Sequence, residues 1–170
     1  MDKNRLEKHD KPLLLIVSMA IPLIIGGLSA VFTKNMEQAY WYMRKPPLAP
    51  PGWIFPVVWT LLYLMMGTAC YFIFISGPSK ERRNFLLLYA GQLLLNAVWT
   101  PLFFNLNNYL LAFVELIAML VLLIWCCAEA FKVSRVSGLM MLPTVLWVTF
   151  AGYLNAAIFI LSKTPGKMPR

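Results

Sequence analysis

The chain has 170 residues, of which 60% are apolar and 13% charged, and its mean hydropathy is +0.68. Soluble domains run at about 45–50% apolar and about 25% charged, so this composition excludes a water-soluble globule, along with disordered, collagen-like and disulfide-framework chains. The net charge of +8 lies in tails and short loops between apolar runs, where anionic lipid headgroups rather than nucleic acid are the expected partner.

In chain order, no charge occurs between Lys11 and Lys34, and a bilayer core of about 30 Å needs roughly 20 helical residues. A first membrane-crossing helix is therefore expected over about 12–33. A signal peptide cut after Leu28-Ser29-Ala30 is the competing account of this run. Its length and its acidic as well as basic flank favour a retained helix. The next uncharged run, Pro46 to Ser79, starts with too many prolines to be helical, and trims to a second helix over about 53–75. After the Gly77-Pro78-Ser79-Lys80 turn, a third helix is expected over about 83–104. The Asn105-Leu106-Asn107-Asn108 break returns the chain antiparallel into a fourth, about 109–131. A basic turn over 132–137 precedes the fifth, about 138–162. The expected fold class is an all-α integral membrane bundle of five helices, one domain over 1–170, with the Pro-rich first loop as a lid. Nine Lys and Arg on the N-terminal side face six on the other, a balance that leans towards a cytoplasmic N-terminus.

The chemistry available is narrow. One histidine, His9, cannot assemble a metal site or a catalytic triad. Cys70, Cys126 and Cys127 lie within apolar runs without zinc spacing and read as small buried hydrophobes. No metal site and no required cofactor are expected. Polar and aromatic residues do fall at helical spacing: Trp59, Tyr63, Met66 and Cys70 on the second helix, Gln92, Asn96, Trp99 and Phe103 on the third, Trp147, Ala151 and Asn155 on the fifth. An amide in hydrocarbon is costly unless paired, so these stripes must face the bundle interior, as interhelical glue or as a ligand site. Glu115, about 9 Å into the fourth helix at 1.5 Å per residue, is either a functional intramembrane acid or one that reaches water or a neighbouring helix. Glu129, beside Lys132, is expected at the interface. The segment Lys45-Pro46-Pro47-Leu48-Ala49-Pro50-Pro51-Gly52-Trp53 is stiff and extended, suited to a lid or a rigid connector.

These residues resemble a family. Lys45-Pro46, Pro50-Pro51-Gly52-Trp53 and Pro56-Val57-Val58-Trp59-Thr60-Leu61-Leu62-Tyr63 with Met66-Gly67 are similar to the first loop and second helix of the TspO/translocator proteins, the peripheral benzodiazepine receptors. Tyr89-Ala90-Gly91-Gln92-Leu93-Leu94-Leu95-Asn96 with Trp99, Pro101, Phe103 and Phe104 resembles their third helix. Val114-Glu115-Leu116 resembles the fourth, and Pro143, Trp147, Phe150-Ala151 and Leu154-Asn155 the fifth.

The resemblance implies a five-helix bundle, often dimeric, whose cavity under the first loop binds porphyrins and benzodiazepine-type ligands. By position, Trp59, Asn96, Trp99, Trp147 and Ala151 would line the cavity and Pro50 and Pro51 would form the lid. Tyr63 and Gln92, on the same stripes, complete the candidate set. In some bacterial members the tryptophans matching Trp59 and Trp147 are implicated in light- and oxygen-dependent breakdown of protoporphyrin IX, with the pigment supplying the photochemistry. A transporter of porphyrins or other amphipathic metabolites is the alternative. The chain departs from the family's usual tryptophan at Leu48 and its usual tyrosine at Thr144. It also lacks the aromatic and basic end of the cholesterol motif, since Leu154-Asn155 continues as Ala156-Ala157 and the next base is Lys163. High-affinity cholesterol binding is therefore not expected. The resemblance favours a bacterial cell membrane over a mitochondrial outer membrane.

Overall fold

The structure, a computed structural model, describes residues 10–33 and 36–164. Lys3, Arg5, Lys8, His9, Lys34, Lys167 and Arg170, which enter the histidine and charge arguments above, lie outside the described residues. The helices are α1 (Asp10–Val31), α2 (Met36–Tyr42), α3 (Ile54–Ile75), α4 (Lys80–Phe104), α5 (Tyr109–Val133) and α6 (Arg135–Lys163). Five of them, all but α2, are long and apolar enough to cross a membrane.

Helix ends follow local chemistry. The Ser79 hydroxyl accepts from the Arg82 N–H at 3.0 Å, so α4 starts three residues earlier than the 83 expected from its arginines. Asn108 caps α5 by accepting from the Leu111 N–H at 3.1 Å. Ser134 accepts from the Ser137 N–H at 3.3 Å and caps α6, with the result that the expected six-residue basic turn shrinks to Ser134 alone. A seven-residue helix, α2, occupies the first loop, where sequence reading had placed none.

The five spans close a ring: α1 packs on α3, α3 on α6, α6 on α5, α5 on α4, and α4 on α1. One half of the ring is filled. Met66, Ile73, Phe85, Leu123, Cys126 and Met141 are fully buried there. The α1–α3 crossing is among its closest approaches. A Cβ placed on Gly67 would lie 2.5 Å from Met19 Cα and 2.6 Å from the Ser18 carbonyl oxygen, so only glycine fits. Pro22 contributes, because it has no N–H to hold that Ser18 carbonyl in the helix ladder. Apolar side chains such as Leu13, Ile16, Leu87, Val121 and Leu146 point outward, as a lipid-facing surface requires.

Glu129 is not at the water interface as expected. Its side chain is only 4% exposed, and Lys132, 58% exposed, reaches back to it at 2.7 Å. Glu115 is half-buried on α5, one heptad from Leu122, which lies against Gly91 of α4. Both its carboxyl oxygens are buried without a partner among the described residues.

Candidate functional site

At the α2 end the ring is not filled and encloses a cavity of about 580 Å³. Sites for small molecules span about 300–1,000 Å³, so a drug-sized or macrocyclic ligand is within range. Three aromatic walls form it. On α3, Trp59 and Tyr63 stack at 5.4 Å. On α4, Trp99 and Phe103 stack at 5.0 Å. Trp147 of α6 meets Phe55 edge-on at 6.0 Å. The first two walls arise because Trp59 and Tyr63, and Trp99 and Phe103, are each spaced by four residues, about one helical turn. The third is made where α3 and α6 bring Phe55 to Trp147. Ala151 opens room beside Trp147, and Leu116, Met119 and Val148 also line the cavity.

Among the described residues, no side chain lining the cavity is charged. Polarity comes from amides and hydroxyls. Tyr63 donates its hydroxyl to Asn96 Oδ1 at 2.6 Å. Trp99 donates Nε1 to Asn155 Oδ1 at 3.2 Å, and Asn155 donates Nδ2 to the Tyr109 carbonyl at 2.8 Å. Asn155 is thus held by two protein contacts and acts as glue. Asn96 is held through one amide end, which leaves its Nδ2 as a donor for a ligand. Trp147 Nε1 is buried without a partner among the described residues.

The lid is tied to the bundle by its backbone. Tyr40 of α2 donates to the Pro50 carbonyl at 2.6 Å, and Tyr153 of α6 donates to the Pro47 carbonyl at 2.8 Å. Burial pushes the Tyr40 phenol above its ordinary pKa, so it stays a donor at physiological pH. Arg44 donates to the Leu161 and Thr164 carbonyls at the end of α6, at 3.3 and 2.9 Å. Lys45 rests its ammonium 4.8 Å above the Tyr40 ring. Pro46 to Ala49 form a turn, closed by Ala49 N–H to the Pro46 carbonyl, with Leu48 at φ +67°. That left-handed conformation normally belongs to glycine or asparagine.

Of the residues singled out from the sequence, Trp59, Tyr63, Asn96, Trp99, Trp147 and Ala151 line this one cavity. Gln92, Pro50 and Pro51 are not in its lining. Gln92 is fully buried below it, with Nε2 3.7 Å from Met66 Sδ. Pro50 and Pro51 shape the loop from outside, while Gly52, Trp53 and Tyr40 supply its inner surface. Sequence reading missed α2 and the α1 contribution of Leu23, Gly26, Gly27 and Ala30. The Gly-Gly pair in an otherwise bulky helix was the signal available. No group of three or more His, Cys, Asp or Glu placed to hold a metal ion occurs among the described residues.

The fold and site together define a polytopic membrane protein with an aromatic-walled cavity under an anchored loop. The TspO/MBR family model matches residues 18–161. A tryptophan-rich protein TspO of Chlorobaculum tepidum is 34% identical over 154 residues, covering 88% of this chain and 96% of that relative. The TspO of Archaeoglobus fulgidus is 36% identical over 150 residues, 87% of this chain and 96% of the relative. The translocator protein of Bos taurus is 37% identical over 139 residues, 79% and 82% of the two chains. The chain belongs to the TspO/MBR family.

Proposed function

We propose that the protein is a membrane receptor for tetrapyrroles, binding a porphyrin or a similarly flat amphipathic molecule in the cavity under its first loop. The observation that carries this reading is the set of three aromatic walls, Trp59/Tyr63, Trp99/Phe103 and Trp147/Phe55, around one cavity. Flat apolar rings gain most from such surfaces. The Asn96 amide orients a polar group of the ligand. Curated relatives carry names such as "tryptophan-rich sensory protein", in Cereibacter sphaeroides, which supports a sensing role. In this reading the protein works as a homodimer in a bacterial cell membrane.

A second reading, light- and oxygen-dependent breakdown of the bound porphyrin, is favoured by one observation: Trp59 and Trp147, the pair the family resemblance implicates, are among the oxidisable indoles that line the cavity, and they do so from different helices. The test for both is purified protein mixed with protoporphyrin IX, its absorbance followed in light and in dark. Saturable binding is expected in both. Loss of absorbance in light alone adds the breakdown activity, and absence of saturable binding overturns the receptor.

A further inference from the structure

We propose that the cavity loads from the bilayer, through a lateral gap between the outer halves of α1 and α3. This rests on the reading of the cavity as a ligand site and says how that ligand, an amphipathic molecule dissolved in the membrane, reaches it.

The two helices run antiparallel and are locked at depth. Gly67 of α3 sits on the backbone of Ser18 and Met19, and seven residues further along α1 a Cβ on Gly26 would lie within 2.1 Å of the Tyr63 ring. Beyond that point they part. A Cβ placed on the next residue, Gly27, would meet nothing within 4 Å. The register set by Met19–Gly67 and Gly26–Tyr63 brings Gly27 and Ala30 opposite Thr60 and Pro56. All four are exposed and all four line the cavity.

The divergence has a cause. The outer half of α1 is tied to α4 instead: Ser29 donates to the Ala97 carbonyl at 2.8 Å, and Asn105 donates to the Phe32 carbonyl at 3.0 Å. α1 thus crosses from α3 at its inner half to α4 at its outer half. The opening is lined for a lipid-soluble traveller. Glycine and alanine face one side, and on the other Thr60 donates its hydroxyl to the Pro56 carbonyl at 2.8 Å and keeps its methyl free. Gly27 lies four residues, roughly 6 Å, inside the end of α1 at 1.5 Å per residue, so the gap opens within the membrane span. Above it the loop is fastened by Tyr40, Tyr153 and Arg44, which makes the aqueous side the closed one.

The experiment uses the full chain in lipid nanodiscs and protoporphyrin IX as probe, with binding and release followed by quenching of tryptophan emission. Gly27→Phe and Ala30→Phe place a ring in the gap, where open space receives it, and melting should stay at the wild-type temperature. Association and dissociation should both slow by about tenfold or more in each variant. Because both residues also line the cavity, a ring that merely crowded the ligand would speed dissociation instead, so slowed release is the mark of a blocked path. Adding lipid at fixed total porphyrin should slow association in proportion to its dilution in the membrane. Wild-type rates in both phenylalanine variants, or association that ignores the porphyrin-to-lipid ratio, would overturn the portal while leaving the cavity site intact. Absence of saturable binding in the wild type would instead remove the ligand site on which the portal depends.

Discussion

The α1–α3 crossing makes an unusually sharp prediction, since three glycines near it should respond to the same Gly→Ala change with different signs. At Gly67 the added methyl would sit 2.5 Å from Met19 Cα and 2.9 Å from Met19 N, which are backbone atoms that cannot rotate away. Overpacking of this kind costs about 1–3 kcal/mol. For a chain of this size about 1 kcal/mol shifts melting by roughly 2–4 °C, so Gly67→Ala should melt lower by about 4–8 °C. At Gly26 the neighbour is the Tyr63 ring, at 2.1 Å, which is able to swing aside. Doing so would break its 2.6 Å bond to Asn96, a loss of about 1 kcal/mol in stability that also disturbs the cavity wall. At Gly27 there is nothing to meet, and the gain in helix propensity is at most about 1 kcal/mol. Gly27→Ala should melt at or slightly above the wild-type temperature. Thermal unfolding of the three purified variants in one detergent measures this directly. Gly67→Ala melting with the wild type, or Gly27→Ala falling as far as Gly67→Ala, would refute the packing described here.

Tyr40→Phe removes the hydroxyl that holds the Pro50 carbonyl, a bond of about 1 kcal/mol; it should raise the proteolysis rate of the 46–53 segment about fivefold, with little change in unliganded melting, and leave porphyrin release near the wild-type rate because release runs through the gap. Trp59→Phe and Trp147→Phe keep a flat apolar face and should retain most porphyrin binding. If breakdown in light occurs, both should slow it strongly, whereas Trp41→Phe and Trp125→Phe, exposed away from the lining, should not. Equal photolysis rates across all four would remove the indoles from the chemistry.

Much of this architecture is legible because membranes impose simple rules. Charges must bracket the spans, and polar side chains must turn inward, which turns the stripes on three helices to the bundle interior; their gathering into one cavity, with Trp59, Asn96, Trp99, Trp147 and Ala151 as its lining, is what the family resemblance implies. What escaped depended on single contacts. The helix start at Lys80 and the one-residue break at Ser134 are decided by serine hydroxyls accepting an N–H three residues on, signals a charge-based reading passes over. The α2 helix is seven residues long, too short to hold itself in water, and is anchored instead by Tyr40 on the Pro50 carbonyl. Glu129 lay beside a lysine near a helix end and read as interfacial, yet Lys132 brings the charge to the surface while the carboxylate stays inside. Pro50 and Pro51 entered the candidate set because the family resemblance puts them in the lid, whereas the inner surface of the lid is made by their neighbours Gly52 and Trp53. The role of α1 in the cavity needs its crossing from α3 to α4, which no periodicity within α1 encodes.

The central claim is that a flat amphipathic molecule occupies the space among Trp59, Trp99 and Trp147, and a single titration addresses it. Ala151 lines that space beside Trp147, so Ala151→Phe should fill it without touching the lid or the inner half of the bundle. Protoporphyrin IX titrated in the dark into wild type and Ala151→Phe, both folded by their melting curves, should saturate the first at one molecule per chain. The second should bind at least about tenfold more weakly, a loss of about 1.4 kcal/mol. Equal affinity in the two proteins would place the porphyrin elsewhere and contradict the account.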